Sequence, residues 1–415
     1  MKMPHKRNYK MLAKWRICIS FIILALPCGL AYAQEEAGQG SLGSGLAAGS
    51  ADSSPTRADM LERQAKAGGI DKIKDEIEKR ADDESMELLE GYDPEEIISG
   101  ITEGSFHFSF SSFLDKLLYF LFKEFQQNLG LLLKLTAVII ICALFKNIQS
   151  SFLNESISEV AFYAGYIIII SILLVSFSTA VKIGTDIIDG MIGFMYATLP
   201  VLITLVVSGG NITTGGVFQP VMLMAAEVAA TVIRSVFIPL IFLSTVLTIV
   251  NNISDRIQLT KLAALMKQIT NWALVTIMTV FTLIVSLQGS LGAVVDGVTS
   301  KAAKFAIGAF IPVIGKTLSD AADTVIGCTL LIKNAAGVAV LLGIVVICAV
   351  PLLKIISLVA LYKAASALLE PISEKRVTNC INDVAGSMLQ IFAVTAAVAF
   401  MFMILVTALI SAGNL

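Results

Sequence analysis

The sequence predicts an all-α polytopic membrane protein with six to eight transmembrane helices, preceded by a signal peptide and an acidic helical external segment. Three observations carry this reading. Of 415 residues, 56% are hydrophobic and only 15% charged, whereas soluble domains run nearer a quarter charged. The apolar residues come in blocks of about twenty, the length that crosses ~30 Å of hydrocarbon. Charge is also partitioned along the chain, behind a formal net charge of −2. Residues 1–33 hold six Lys/Arg and no acid, residues 34–128 nine basic and twenty acidic residues, and residues 129–415 fifteen and twelve. A single soluble enzyme domain and a disordered scaffold are both excluded.

Residues 1–33 read as a secretory signal. Lys2, Lys6, Arg7, Lys10, Lys14 and Arg16 precede a short apolar run from Ile17 to Leu26. Pro27 breaks the helix, and Ala31-Tyr32-Ala33 supplies a small-x-small cleavage pattern. Cleavage between Ala33 and Gln34 places the new N-terminus outside the cytoplasm. The alternative is an uncleaved anchor, although the run is about half the length of a spanning helix. Pro27 argues against a lipoprotein site at Cys28.

Residues 34–128 form an acidic extracytoplasmic segment. Its first part, 34–59, is rich in Gly, Ser and Ala and reads as a flexible linker. Residues 60–128 read as helical. The run Asp71 to Arg80 alternates charge at three- and four-residue spacing, which favours a solvated helix. Asp93-Pro94-Glu95-Glu96 is a helix start, with an N-cap, Pro at the first turn and acids beside the helix dipole. Phe113 to Phe125 is apolar and aromatic, with Asp115, Lys116, Lys123 and Glu124 interspersed. It either lies along the membrane surface or packs on the membrane domain. The acid excess argues against nucleic acid and against an anionic lipid surface as partners.

Residues 129–415 form the membrane domain, whose immediate partner is the lipid bilayer. Spans fall near 129–147, 160–181, 187–207, 269–287, 335–356 and 388–410. Val217 to Val250, with Arg234 and Pro239 in its middle, reads as two short spans or as one span with an interfacial entry. Leu352 to Leu369 is similarly ambiguous. Residues 251–268 carry Arg256, Lys261 and Lys267 against Asp255, which favours the cytoplasm. With an outside N-terminus, that placement requires 217–250 to cross twice, so parity stays open. No 20–50-residue repeat is visible, which weakens an inverted-repeat transporter.

Residues 288–334 are too polar for lipid and too apolar for a solvated loop. They read either as two amphipathic interfacial helices broken at Pro312 and Gly315, or as a re-entrant, pore-lining segment.

Chemical motifs are sparse. His5 leaves with the signal and His107 stands alone, so no His-based metal site is expected. Gly210 to Gly215 starts like a phosphate loop, but Gly216 and Val217 stand where Lys and Ser/Thr are needed. It reads as a Gly/Thr-rich turn. No nucleophile elbow occurs. Cys142, Cys328 and Cys348 lie in apolar segments and Cys380 in an expected loop, without disulfide or zinc spacing. No catalytic residue, metal or cofactor is expected, and the chain is expected not to be an enzyme.

What remains are charges inside or beside spans: Lys134, Asp189, Glu227, Arg234, Asp296, Lys301, Lys304, Asp320, Asp323 and Lys333. A charge in hydrocarbon costs at least ~2.5 kcal/mol, so such residues either face a partner or a water path, or simply snorkel to the interface or pair structurally. All but Lys134 and Asp189 are the candidate conduit or helix-pairing charges. Glu227 and Arg234 share a helix face but lie ~10 Å apart along it, so each needs a partner on another helix. Small-xxx-small steps at Ala161/Gly165, Ala360/Ala364 and Ala393/Ala397 permit close packing within or between subunits, and a homo-oligomer is expected.

One ordered set of local sequences is more specific. It begins with Asn251-Asn252-Ile253-Ser254-Asp255-Arg256-Ile257-Gln258-Leu259, Gln288-Gly289, Asp296-Gly297-Val298 and Ala303-Lys304-Phe305-Ala306. Ile311-Pro312-Val313-Ile314-Gly315 and Leu318-Ser319-Asp320-Ala321-Ala322-Asp323-Thr324-Val325 follow, then Ile326-Gly327-Cys328 and Leu331-Ile332-Lys333-Asn334-Ala335. With Tyr92-Asp93-Pro94-Glu95-Glu96 and the overall layout, this resembles the stage III sporulation protein AE family of endospore-forming bacteria.

The resemblance implies a subunit of a channel or secretion-like complex in the mother-cell membrane around the forespore, supporting late forespore development. It implies other membrane subunits and a cytoplasmic secretion-type ATPase as partners, and carries over no catalytic residues. The competing reading is an autonomous secondary transporter using Glu227 or Asp296 as a coupling acid.

Overall fold

The computed structural model describes residues 70–81, 83–88, 110–149, 155–253, 259–310 and 315–411. The cleavage site at Ala31, Ala33 and Gln34, the linker 34–59 and the helix start at Asp93 lie outside them. Nine α-helices and two π-helical turns make up the described chain, and no strand occurs among these residues. Two short helices, α1 (Ile70–Arg80) and α2 (Asp83–Leu88), precede α3 (Phe110–Gln149) and α4 (Glu155–Ser208). A π-helical turn (Thr214–Phe218), α5 (Gln219–Val232), a second π-helical turn (Ile233–Phe237) and α6 (Ile238–Ile253) form one continuous rod. The long helices α7 (Thr260–Phe310), α8 (Gly315–Leu369) and α9 (Lys375–Ser411) complete the bundle.

Among the described residues, six helical rods are long and apolar enough to cross a membrane. The fold is all-α, with the span count at the lower end of the expected range. The reduction comes from two places. Residues 160–181 and 187–207, expected as separate spans, are one uninterrupted helix, because Lys182 to Asp189 contains no break stronger than Gly184. Residues 217–250 also form one rod: Pro239 falls in the first turn of α6, just beyond the π-helical turn, where a missing N–H is tolerated.

Antiparallel neighbours fix the order of the bundle. The rod α5–α6 returns alongside α4 from a tight turn at Gly209–Asn211, where Gly210 has φ +87°, a conformation open to glycine. The Gly/Thr-rich turn expected here is thus observed. At the other end, the Asn251 side-chain oxygen accepts bonds from the Leu259 N–H and the Thr260 hydroxyl, both 2.9 Å, and launches α7. Helix α7 then runs back until Asp296 reaches the α4–α5 turn.

Helix α8 descends through the centre, with an unbroken buried run from Ile332 to Ile347. From Ala335 to Val350 it is apolar on every side, as a core helix must be. Close approach needs missing Cβ atoms: Gly337 faces Ile410, and Gly184 of α4 faces Ile391. The Tyr362 hydroxyl and the Ser176 hydroxyl pair at 2.5 Å.

Several expectations are refined by this packing. Phe113 and Phe120 are buried against Val345, Val350 and Leu353, so the stretch before the first span packs on the membrane domain and is continuous with that span in α3. The charged run 71–80 is a helix but not a fully solvated one: Ile73 and Ile77 are completely buried. Residues 288–310 continue α7, and Gly315 opens α8 instead of breaking a helix. Pro312 lies outside the described residues. Cys380, expected in a loop, is buried in α9, because that helix begins five residues earlier at Lys375.

Candidate functional site: a polar seam and a docked acidic helix

The α4–α5 hairpin carries a ladder of polar pairs along one exposed seam. Arg234 meets Asp189 in a two-pronged ion pair, Nε to Oδ1 at 2.7 Å and Nη2 to Oδ2 at 2.8 Å. Such fork-to-fork geometry fixes both side chains. Seven residues away on each helix, the Tyr196 hydroxyl meets the Glu227 carboxylate. Arg234 lies in the second π-helical turn. A π turn adds a residue to the helical register and recurs at functional sites. Lys182, Asp186, Asp189 and Tyr196 are all exposed on α4 at helical spacing.

Next to this seam, α1 docks into a groove between α4 and α8. Its floor is cut away at glycines: a Cβ on Gly343 would meet Ile77 at 2.8 Å and Phe194 at 2.9 Å. The Arg80 guanidinium fills the notch at Gly193, pairs with Glu76 at 2.8 Å and donates to the Gly190 carbonyl. The outward face of α1 presents Asp71, Lys72, Asp75, Glu78 and Lys79.

Helix α2 completes the docking through charge. Glu84 lies 3.0 Å from Lys354 of α8 and 3.4 Å from Lys123 of α3, and Lys354 also approaches Glu124 at 3.9 Å. The Lys354 ammonium beside Glu84 holds its carboxyl below the usual carboxylate range, against the opposing effect of burial. Sequence reasoning missed this cluster. The available signal was Lys354, a lone cation between Pro351 and Ile355 in an otherwise apolar run.

The expected site charges divide into three groups. Glu227 and Arg234 sit on the seam and each finds a partner on α4, as their spacing requires. Asp296 and Lys333 are buried and serve helix ends. Asp296 accepts the Thr213 and Thr214 backbone N–H groups, both at 2.9 Å, and so caps the rod that begins at the α4–α5 turn. The Lys333 ammonium donates to the Ile410 carbonyl at 2.8 Å, in the last turn of α9. The side chains of Lys301, Lys304, Asp320 and Asp323 lie outside the described residues. Asp189 completes the seam, and Lys134 stands on an exposed face of α3. Among the described residues, no three His, Cys, Asp or Glu converge as metal ligands.

A family model described as stage III sporulation protein AE matches residues 92–413. The stage III sporulation protein AE of Bacillus subtilis (strain 168) is 35% identical over 372 residues, covering 89% of this chain and 93% of that protein. The chain belongs to the stage III sporulation protein AE family. Its role is therefore in sporulation, and its six apolar rods make it a membrane member of that process. No solved structure matches it. The seam, the capping residues Asp296 and Lys333, and Lys354 all fall inside the family-matched range, whereas α1 and α2 precede it.

Proposed function

We propose that this protein is a membrane subunit of a channel or secretion-like complex that links mother cell and forespore and is required for late forespore development. The observation that carries the reading is the family match over residues 92–413, joined to a membrane bundle whose mid-length is polar on one flank. Its partners in this reading are other membrane subunits of the complex, further copies of itself and a cytoplasmic secretion-type ATPase. It works in the mother-cell membrane around the forespore, and no catalytic step is assigned to it.

The orientation we propose follows from charge. Lys261 and Lys267, at the start of α7, lie at the end of the bundle opposite the Gly209–Asn211 turn. Basic loops stay in the cytoplasm, so the Gly209–Asn211 turn faces the other side, together with the mature N-terminus. Because α4 is one rod, an outside N-terminus and a cytoplasmic 251–268 loop are compatible with six crossings. In this reading the parity conflict posed by the sequence does not arise.

Against the autonomous-transporter reading stands the engagement of Asp296, one of its candidate coupling acids, by two backbone donors. The test of the proposed role is a deletion in the native sporulating host, complemented in trans. Forespores that complete engulfment, then collapse with a silent late forespore reporter, are the expected result. Normal heat-resistant spores would overturn it.

A further inference from the structure

The bundle is two-faced at a single depth. Helix α7 carries no charged residue from Trp272 to Val295, a stretch of about 36 Å at 1.5 Å per residue. Its outward face combines large apolar side chains, with Trp272 71%, Val275 66% and Leu283 56% exposed, with Thr276, Thr279 and Thr282, whose hydroxyls are satisfied by carbonyls of the same helix. A face of this composition and length belongs in hydrocarbon.

Contacts set the level of that stretch against α4. At one end, Asn271 meets Gln390, whose neighbour Ile391 packs on Gly184. At the other, Asp296 meets Thr213 and Thr214 beside the α4–α5 turn. Residues 272–295 therefore run level with α4 from about Gly184 to the turn.

The other flank at this level is charged. The groove that holds α1 is built from Gly190, Gly193 and Phe194 of α4 and Gly343 of α8. It brings the exposed Asp71, Lys72, Asp75, Glu78 and Lys79 to the depth at which α7 is uncharged. The ion pair Asp189–Arg234, with its side chains 44% and 47% exposed, lies at the same level. Lipid on that flank would leave at least seven charged groups facing hydrocarbon, each costing at least ~2.5 kcal/mol. Meanwhile the centre of the bundle is closed, because α8 is filled with buried apolar side chains across the same depth.

We propose that the α1–α4–α5 flank is the wall of an aqueous vestibule at membrane depth, open to water and small hydrophilic solutes, while the α7 flank faces lipid. The wet surface runs along the outside of this subunit and not through its core. The inference deepens the conduit reading by naming its wall, and rests on it only for the purpose of the passage.

The test is single-cysteine labelling of the full chain in membrane vesicles by a charged, membrane-impermeant thiol reagent applied to both faces. Positions Glu78 and Tyr196 report the proposed wet flank, and Val275 and Leu283 the lipid flank. Cys142, Cys328, Cys348 and Cys380 are buried and Cys18 and Cys28 are replaced by Ser in every variant, so the parent protein sets a low background, and labelling after denaturation normalises each variant. Only a hydrated thiol ionises and reacts, so both wet-flank positions should label about tenfold or more faster than both lipid-flank positions. Slow labelling at either Glu78→Cys or Tyr196→Cys, comparable to Val275→Cys, would overturn the proposal. This readout is independent of spore yield, so it can fail while the sporulation role stands, and the reverse.

Discussion

Asp189 and Arg234 are 45 residues apart in sequence, yet close a two-pronged ion pair across α4 and a π-helical turn, at 2.7 and 2.8 Å. The pair tests its own surroundings. If water reaches it, the coupling between the two charges is about 1 kcal/mol or less. In hydrocarbon, leaving one charge alone would cost several kcal/mol. We expect Asp189→Asn and Arg234→Gln each to lower the thermal midpoint of the detergent-solubilised protein slightly, and the exchange Asp189→Arg with Arg234→Asp to recover most of the loss. Loss of the protein from the membrane in either single variant would contradict a wet pair.

Docking of α1 rests on Ile73 and Ile77 against a floor with no Cβ. Ile77→Ala removes a completely buried side chain, a change that costs about 2–5 kcal/mol in packed cores. Gly343→Leu fills the place where Ile77 and Phe194 already stand. Ile77→Ala should release α1 from the groove and leave the long helices in place. Limited proteolysis reads this as faster cleavage within residues 70–88 at unchanged bundle stability. Gly343→Leu also meets Phe194 of α4 and should lower bundle stability as well.

Acid should loosen the same segment. The folded-state pKa of Glu84 is depressed by Lys354 below its ordinary value of 4.5. A depressed carboxylate contributes stability above its unfolded value and loses it as pH falls toward the folded one. Hydrogen exchange in α2 should therefore accelerate as pH drops below about 4.5, beyond the intrinsic pH dependence of exchange. Glu84→Gln should exchange fast at neutral pH and lose that extra acceleration.

Asp296 caps a helix from 82 and 83 residues away in sequence. Asp296→Ala leaves two backbone donors without their acceptor, at a cost of about 1–2 kcal/mol. Exchange protection should fall at Thr213 and Thr214 but hold in α8. If Asp296 instead worked as a coupling acid, Asp296→Asn would abolish sporulation at full protein level and unchanged local protection.

Much of this was legible in the sequence, for reasons of scale. A twenty-residue apolar block reports its environment by composition alone, so the all-α membrane class is readable. What composition cannot report is whether two blocks are joined by a loop or by helix. Lys182, Asp186 and Asp189 look like a connector between spans, yet they are the exposed face of one rod whose other faces are packed. The need of Arg234 for a partner on another helix was readable from spacing, but its partner depends on the register set by a π-helical turn. Asp296 and Lys333 were visible as costly charges; that they cap helix ends is a fact of tertiary contact. Ile73 and Ile77 were hidden because their neighbours are almost all charged, and a two-residue apolar stripe gives little periodic signal.

The central claim is that this protein acts as part of an assembly in sporulating cells. The most direct measurement is native electrophoresis and mass spectrometry of the protein isolated from sporulating membranes under mild detergent. A complex well above the 44.3 kDa of one chain is expected, containing other membrane subunits and a secretion-type ATPase. A fully functional protein that migrates as a single chain with no companions would contradict it.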